Sequence, residues 1–267
     1  NQSAGFEFAG FENAVRACLT DAFPTSQSGF VVGIIDNLEL VKTSRDARDV
    51  LERIRDTCLS LPGVKWVLCG AQGIVRSSVS SPRLNGRLSE PIELWPVKKE
   101  DVSALIQARL DWFKATDDAI SPITPESFEY LYEICNENLR DALKYAQTFT
   151  SWLDARQLAF PEATTGYERL LDEYLEFEAN QVERSIKMPP RSWQLFEDLA
   201  EAGGSCSPSE NERFDFNTPQ QMRTNMLDLE NANLVQGSID EFDARRKSVN
   251  LTAKAWILHH VRNASKA

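Results

Sequence analysis

The sequence predicts an α/β fold for the N-terminal third of the chain, then an all-α bundle, then a C-terminal helix, helix, hairpin and helix. Three observations support this fold class. Two apolar runs, at 30–35 and 64–69, flank a helical pattern, which is the order of a βαβ unit. Helical spacing alone follows Pro96. Beyond Pro190, two more helical patterns precede two short β-rich segments and a final helix.

The composition is that of a globular protein with two domains or three small ones. Its 267 residues are 42% hydrophobic and 26% charged, which is ordinary for such proteins. The longest strongly apolar stretch, 30–35, is far shorter than the ~20 residues of a membrane helix, so we expect no contact with a membrane. The net charge of −11 argues against a broad nucleic-acid surface, because phosphate binding draws on clustered Lys and Arg. A small basic patch is still compatible with it.

The five cysteines are odd in number, widely spaced and without a C-x-x-C pair. A zinc site or a redox centre is therefore not expected. Reduced, buried cysteines fit an intracellular protein, and we expect a cytoplasmic location. The first residues carry neither Met nor the basic-then-apolar pattern of a signal peptide, so we expect Asn1 to be a cut end.

The predicted sheet domain covers residues 1–96. Its first apolar run is continuous rather than alternating, so we expect a strand that is buried on both faces of a parallel sheet. The next helical pattern ends at a Pro-Gly turn, which is a typical helix stop. In chain order the predicted elements are a helix, a strand, a helix and two strands, over 11–23, 30–35, 44–61, 64–69 and 91–96.

The middle of the chain is predicted to be helical throughout. We expect a bundle over 97–160, followed by a Glu-rich linking helix within 161–189 that ends before two prolines. Thr124 followed by Pro125 is a good helix start, because threonine caps the first turn and proline fits its first position. The bundle helices are predicted over 98–115, 124–136 and 138–156, and the linking helix over 167–188.

The last segment, 190–267, follows a different pattern. One helix stops at a pair of glycines, and a second starts at Thr218 and runs to about Ala232. Two short β-rich segments, 234–238 and 248–251, then enclose a polar turn before the last helix. This is the order of elements in a winged helix-turn-helix.

Asp36, at the end of the first apolar run, is the sharpest single feature. An acid at the carboxyl end of a parallel strand lies where open α/β sheets bind ligands. There it can hold Mg²⁺ through a water, since Mg²⁺ needs few protein ligands when phosphates supply the rest. Strand-then-Asp is also common without any function, and the residue then simply begins a loop.

The order of the features downstream extends this interpretation. Gln72 follows the second apolar run, Arg83 and Arg87 precede the predicted strand at 91–96, and Arg140 begins a helical pattern. With these residues in this order after Asp36, the segment from 30 to 145 resembles an AAA+ module, close in layout to origin-recognition-type initiators and to STAND-type ATPases. The resemblance implies an ATP and Mg²⁺ site. Its residues would be Asp36 as the Walker B acid, Gln72 as the polar sensor 1, Arg83 or Arg87 as the arginine finger, and Arg140 as the sensor 2 of a helical lid.

Two departures from the family limit what the resemblance implies. The Walker A pattern G-x-x-x-x-G-K-[ST] is absent, so the Gly-rich loop and its Lys would have to lie upstream of Asn1. Asn37 stands where the family carries its catalytic Glu, and an amide cannot accept the proton of a water. Glu39 is the candidate replacement. We therefore expect this chain alone to hydrolyse nothing.

The winged-helix segment adds a candidate nucleic-acid surface. In such folds the second helix is the recognition helix, and the wing contacts the phosphate backbone. The candidates on the helix are Gln220, Gln221, Arg223 and Asn225, and those on the wing are Arg245, Arg246 and Lys247. Acidic residues lie close to both sets, so DNA and a protein remain alternative partners.

Two functions follow. The first is an ATP-binding switch or motor, active as a homo-oligomer or with a protein partner, in which bound ATP or ADP controls the winged helix. The second is a non-catalytic scaffold with a degenerate ATPase core, whose C-terminal segment grips DNA or a protein. A Walker A motif in upstream sequence would favour the first, and its absence the second.

Overall fold

The computed structural model describes residues 8–25, 27–41, 44–70, 75, 76, 78, 80–117, 119–157, 164–239 and 247–264. The chain divides into two compact units, one on residues up to Leu94 and one that begins at Trp95. No helix in these described ranges is long and apolar enough to cross a membrane.

The first unit contains the predicted βαβ arrangement. Strands β1 and β2 pair in parallel, from Val31 opposite Val64 to Ile35 opposite Leu68, and the prediction of a small parallel sheet is confirmed. Its elements are α1 (Phe8–Ala22), β1 (Val31–Ile35), a 3-10 helix (Leu38–Leu40), α2 (Ser44–Ile54) and β2 (Val64–Leu68).

The expected burial of β1 on both faces is wrong. Val32 and Ile34 point away from the core, and Ile34 is 65% exposed. On the opposite face, Ile35 and Leu68 pack on a small core formed by Leu38, Leu51 and Leu84. Because side chains alternate along a strand, this core covers only one side of the sheet within the described part of the unit.

The strand predicted over 91–96 is also wrong. The segment has no regular secondary structure, and Ile92 and Leu94 are 89% and 93% exposed. Pro91 and Pro96 lack the N–H that a sheet ladder requires. An apolar sequence alone therefore did not produce a strand here.

The second unit is mainly helical, and its helices lie close to their predicted positions. They are α3 (Lys99–Phe113), α4 (Pro125–Ile134), α5 (Leu139–Ala155), α6 (Thr164–Ser185), α7 (Pro190–Glu201), α8 (Pro219–Asn231) and α9 (Ala253–Ala264). Thr124 caps α4 as expected, since its hydroxyl accepts from the Ser127 amide at 3.1 Å.

A small sheet accompanies the last helices. Its strands are β3 (Ser205–Cys206), β4 (Val235–Ile239) and β5 (Lys247–Leu251), with β5 in the middle. Strand β3 pairs antiparallel with β5, and a 3-10 helix, Pro208–Phe214, precedes α8.

One hydrophobic core runs through the whole second unit. Buried residues from Val102 on α3 to Leu258 on α9 belong to the same cluster, and α9 packs against α4, α6 and α7. Members of this cluster lie on both sides of the predicted domain boundaries at 160 and 189. The division into lid, linking helix and winged-helix domain stays a prediction.

Polar contacts fix α9 against its neighbours. His259 Nδ1 lies 3.1 Å from Glu197 Oε2, and the Arg262 guanidinium donates to Glu197 Oε1 at 2.8 Å. His260 Nε2 lies 2.9 Å from the Tyr130 hydroxyl. Burial lowers the pKa of His260 from its ordinary value, so the folded state favours the neutral ring.

All five cysteines are free thiols, but the predicted burial is confirmed for only two of them. Cys135 and Cys206 are buried, and burial raises the pKa of each thiol to about 12. Cys18 is exposed, while Cys58 and Cys69 are half-buried. Cys18 lies on α1, whose side chains reach solvent to a greater extent than the apolar spacing predicted.

Gly33 provides a test of packing in the parallel sheet. A Cβ at this position would lie 2.5 Å from the Trp66 ring, and that ring is held by its Nε1 donating to the Cys58 carbonyl at 3.0 Å. We expect Gly33→Ala to lower the free energy of unfolding by about 1–3 kcal/mol, as overpacking does. Chemical denaturation followed by tryptophan fluorescence measures it.

Gly10→Ala is the matched control. It lies in helix α1 with open space around it, so we expect no loss and a gain of up to about 1 kcal/mol from helix propensity. An unchanged stability in Gly33→Ala would mean that the Trp66 ring moves freely.

Candidate functional site

The carboxyl edge of the parallel sheet carries the predicted Walker B position. The ladder continues beyond the strands, because the Cys69 amide donates to the Ile35 carbonyl at 2.8 Å. The Leu38 amide then donates to the Cys69 carbonyl at 3.2 Å. The two loops that leave β1 and β2 are thereby held side by side, with Asp36 exposed between Ile35 and Leu38.

Asn37 shapes this edge through its backbone. It adopts the left-handed conformation, with φ 57° and ψ 43°, which asparagine tolerates better than most residues. The turn inserts Leu38 into the small core, where it is only 4% exposed. It also lets the Asn37 amide donate to Asp36 Oδ1 at 2.8 Å. The residue type at position 37 therefore has a conformational reason as well as the predicted catalytic one.

Two of the predicted site residues lie wholly or partly outside the described part of the chain. Glu39 lies within the 3-10 helix, but its side chain is outside the described residues, and so is the whole of Gln72. Their predicted roles as the replacement acid and sensor 1 stay predictions.

Arg83 is positioned by a network that the sequence did not indicate. Its guanidinium lies 3.4 Å from Glu52 Oε2, and the buried Ser81 hydroxyl donates to Glu52 Oε1 at 2.5 Å. Leu84, next in the chain, is fully buried in the small core. Arg83 is nevertheless 74% exposed, so a surface ion pair holds it and contributes little to stability.

Arg87, the second arginine-finger candidate, is more open. It is exposed and lines a groove of about 600 Å³ beside β2, together with Val67, Gly70 and Leu94. Its charge also reaches Asp56. A hydrogen bond from Arg55 first, and the charges of Arg55 and Arg87 after it, lower the pKa of that carboxyl.

Arg140 lies in the first turn of α5, in the second unit, whereas Asp36 belongs to the first. Asn138 caps this helix by accepting from the Asp141 amide at 3.2 Å. The Arg140 side chain is exposed, and within the described ranges no ion pair to it is found. A cation at a helix N-terminus is disfavoured by the macrodipole, so local structure does not account for it.

On α8, the predicted recognition residues differ in availability. Gln220, Gln221 and Arg223 are exposed. Asn225 is engaged inside the fold, because its Oδ1 accepts from the Ser192 hydroxyl at 2.9 Å and its Nδ2 donates to the Gln221 carbonyl at 2.9 Å.

The wing candidates lie largely beyond the described chain. Arg245 and Arg246 are outside it, and Lys247 begins β5 with a side chain that is not described.

The side chains at the carboxyl edge of the parallel sheet could bind a magnesium ion only together with ligands from outside the chain. The described residues contain no group of three His, Cys, Asp or Glu that could hold a metal ion. Asp36 offers one carboxylate, of which Oδ1 already accepts from an amide. A single carboxylate fits Mg²⁺ that keeps its waters and takes its other ligands from phosphates.

Among known proteins, similarity is found with solved structures. No family model matches the chain, and no curated protein matches it either. Its fold is similar to the structure of the Aeropyrum pernix Orc1 protein in complex with DNA, at 14% sequence identity and a TM-score of 0.41, over 99% of this chain and 72% of that one. At this TM-score the similarity carries no argument about site or function.

Ser192 tests the internal role of Asn225. The hydroxyl is fully buried and lies within hydrogen-bond distance of Asn225 Oδ1 and, at 2.6 Å, of Asp228 Oδ2. Removing it leaves both acceptors without this donor, so we expect Ser192→Ala to lower the free energy of unfolding by about 1–2 kcal/mol. Gln220→Ala, on the exposed face of α8, the helix that carries Asn225, should change the free energy of unfolding by less than about 0.5 kcal/mol. Equal effects in urea denaturation would contradict the assignment.

Proposed function

We propose that residues 30–145 form the Walker B-to-sensor 2 part of an AAA+-type nucleotide-binding module, and that Asp36 is its magnesium contact. One observation carries the proposal. Asp36 is exposed at the carboxyl end of β1, beside the loop that leaves the parallel strand β2. Open α/β sheets bind their ligands at this edge.

The hydrogen bonds around Asp36 favour such a role. The backbone amide of Asn37 orients the carboxylate by donating to Oδ1. Among the described residues, no group donates a hydrogen bond to Oδ2. An oriented carboxylate with one oxygen left over can hold a magnesium-bound water. When bound, Mg-ATP would supply the remaining oxygen ligands from its phosphates.

The three candidate arginines have different roles in the proposed nucleotide site. Arg83 is held by Glu52 at the protein surface, and Arg87 lies at the rim of the groove beside β2. Either would meet the phosphates bound by a neighbouring subunit. Arg140, the sensor 2 candidate in the first turn of α5, would meet those bound by its own chain.

Hydrolysis is not part of the chemistry that the described side chains supply. Asn37 can orient a water but cannot take its proton, and Glu39 is left as the candidate base. We therefore propose a switch in which bound ATP or ADP sets the arrangement of the C-terminal elements, while the 267-residue chain by itself shows no ATPase activity. A cytoplasmic location remains part of this proposal.

The magnesium contact is tested by Asp36→Asn, which keeps an oxygen for the Asn37 amide but removes the charge. We expect the affinity for Mg-ATP, measured with the full-length product of the gene, to fall at least tenfold. Arg140→Ala should weaken binding similarly, since a hydrogen bond to a charged group contributes about 1.5–3 kcal/mol. Isothermal titration calorimetry measures both.

Asp21→Asn and Arg169→Ala are the matched controls, because both residues are exposed on helices and neither is a predicted site residue. Asp21 lies near Phe23, which packs on Gly29 and Gly63 at the opposite, amino end of the strands. They should bind as the unaltered protein does. Unchanged affinity in both Asp36→Asn and Arg140→Ala would rule the nucleotide site out.

A second candidate function is DNA binding by a C-terminal winged helix. The observation that favours it is the exposed polar face of α8, with Gln220, Gln221 and Arg223, beside the β3-β5-β4 sheet. The helix, 3-10 helix, helix and sheet succeed one another as in that motif. The net negative charge of the whole chain limits such contact to this local surface.

This candidate is tested by reversing the charge of Arg223 and of the 245–247 triplet to Glu. We expect binding to duplex DNA at 50 mM salt to weaken at least tenfold and to lose most of its salt dependence, because phosphate contacts release counterions. Fluorescence anisotropy measures it, with Arg169→Glu as the charge-matched control. If all variants bind alike, this surface does not contact DNA.

A further inference from the structure

A polar cleft in the second unit is lined by none of the predicted nucleotide-site or DNA-contact residues. It measures about 460 Å³ and is bounded by the start of α5, the end of α8, strands β4 and β5, and the start of α9. Asp36 belongs to the other unit, and Arg140 does not line the cleft.

Hydrogen bonds between backbone and side chain fix one wall of this cleft. The Thr252 amide donates to the Leu234 carbonyl at 2.9 Å, and its hydroxyl donates to the Asn233 carbonyl at 3.0 Å. Lys254 Nζ donates to the Ala232 carbonyl, at the end of α8, at 3.3 Å. The end of α8 and the start of α9 are therefore held together, and the chain itself fixes this wall of the cleft.

Two cations in the cleft lack an acidic partner. No carboxylate among the described residues lies within ion-pair distance of Lys144 or Lys254. Elsewhere Lys99 and Lys114 do pair with carboxylates, and the chain carries 40 acidic residues. Lys254 is half-buried, in the first turn of α9. Its ammonium donates to the Ala232 carbonyl at the end of α8, where a helix macrodipole favours a cation. An anion in the cleft would accept from its remaining N–H groups and from the exposed Lys144.

The remaining polar groups suit a ligand larger than an ion. Asn138 caps α5 through its Oδ1, which leaves its Nδ2 as a donor, and the amide of Gln236 lines the opposite side. Asp141 adds one carboxylate, which accepts from hydroxyl groups. Because the carboxylate partly offsets two ammonium groups, the cleft favours a ligand with one anionic group and several hydroxyls.

We propose that this cleft binds a small phosphorylated organic molecule. Its phosphate lies between Lys144 and Lys254, where each ammonium still has donors to give. Its hydroxyl groups bond Asn138, Gln236 and Asp141. The volume lies within the range of about 300–1,000 Å³ that is typical of small-molecule pockets and exceeds what inorganic phosphate alone would fill.

The test titrates ribose 5-phosphate, as the probe, into the protein without Mg²⁺, so that the Asp36 site is not engaged. Saturable binding by calorimetry is expected, with inorganic phosphate weaker. Lys144→Met and Lys254→Met should each weaken it about tenfold or more, which is the loss of one charge-assisted hydrogen bond. Lys187→Met, an exposed lysine outside the cleft, and Asp36→Asn should bind as before.

The outcomes separate the alternatives. Lys254 also donates to the end of α8, so the denaturation midpoint of Lys254→Met shows whether this variant still folds. The Lys144 ammonium makes no hydrogen bond to the described residues. Lys144→Met is therefore the deciding variant. Absence of saturable binding, or equal affinity in Lys144→Met, overturns the proposal. Binding of duplex DNA with no binding of ribose 5-phosphate overturns it in favour of a nucleic-acid contact.

Discussion

The parallel pairing of β1 with β2 is the constraint on which the candidate nucleotide site depends. Its ladder does not stop at the strands, but continues through Cys69 and Leu38. Two loops that are remote in sequence therefore leave the sheet at one edge. The left-handed turn at Asn37 uses this constraint to bury Leu38 and expose Asp36.

The second unit is organised around its last helix. Helix α9 packs on α4, α6 and α7, and charged contacts from Arg262 and His259 to Glu197 fix it there. The polar cleft results from this packing, because the first turn of α9 is tied to the end of α8. Segments that the sequence separates into bundle and winged helix share one core, so a change in one of them affects the other.

Local patterns were sufficient for most elements. The helical spacing at 98–115 and the Thr124-Pro125 start correspond to α3 and α4, since amphipathic periodicity and capping act over a few residues. The same reasoning failed at 91–96, where an apolar segment between two prolines borders one groove with β2 but does not pair with it. A strand needs a partner, and that partner is not encoded in the segment. The predicted burial of β1 on both faces failed for a similar reason, because a continuous apolar run shows what could be buried but not what covers it.

For the candidate site, the sequence by itself determined the position of Asp36 at the end of a strand and the chemistry available to Asp36, Arg83, Arg87 and Arg140. Only the tertiary structure decided that Glu52 and Ser81 hold Arg83, that Ser192 engages Asn225, and that Lys144 and Lys254 share a cleft. The reason is distance along the chain. Spacing reports on neighbours within a turn or a strand, whereas these contacts join residues about 30 or more positions apart, and packing alone brings such residues together.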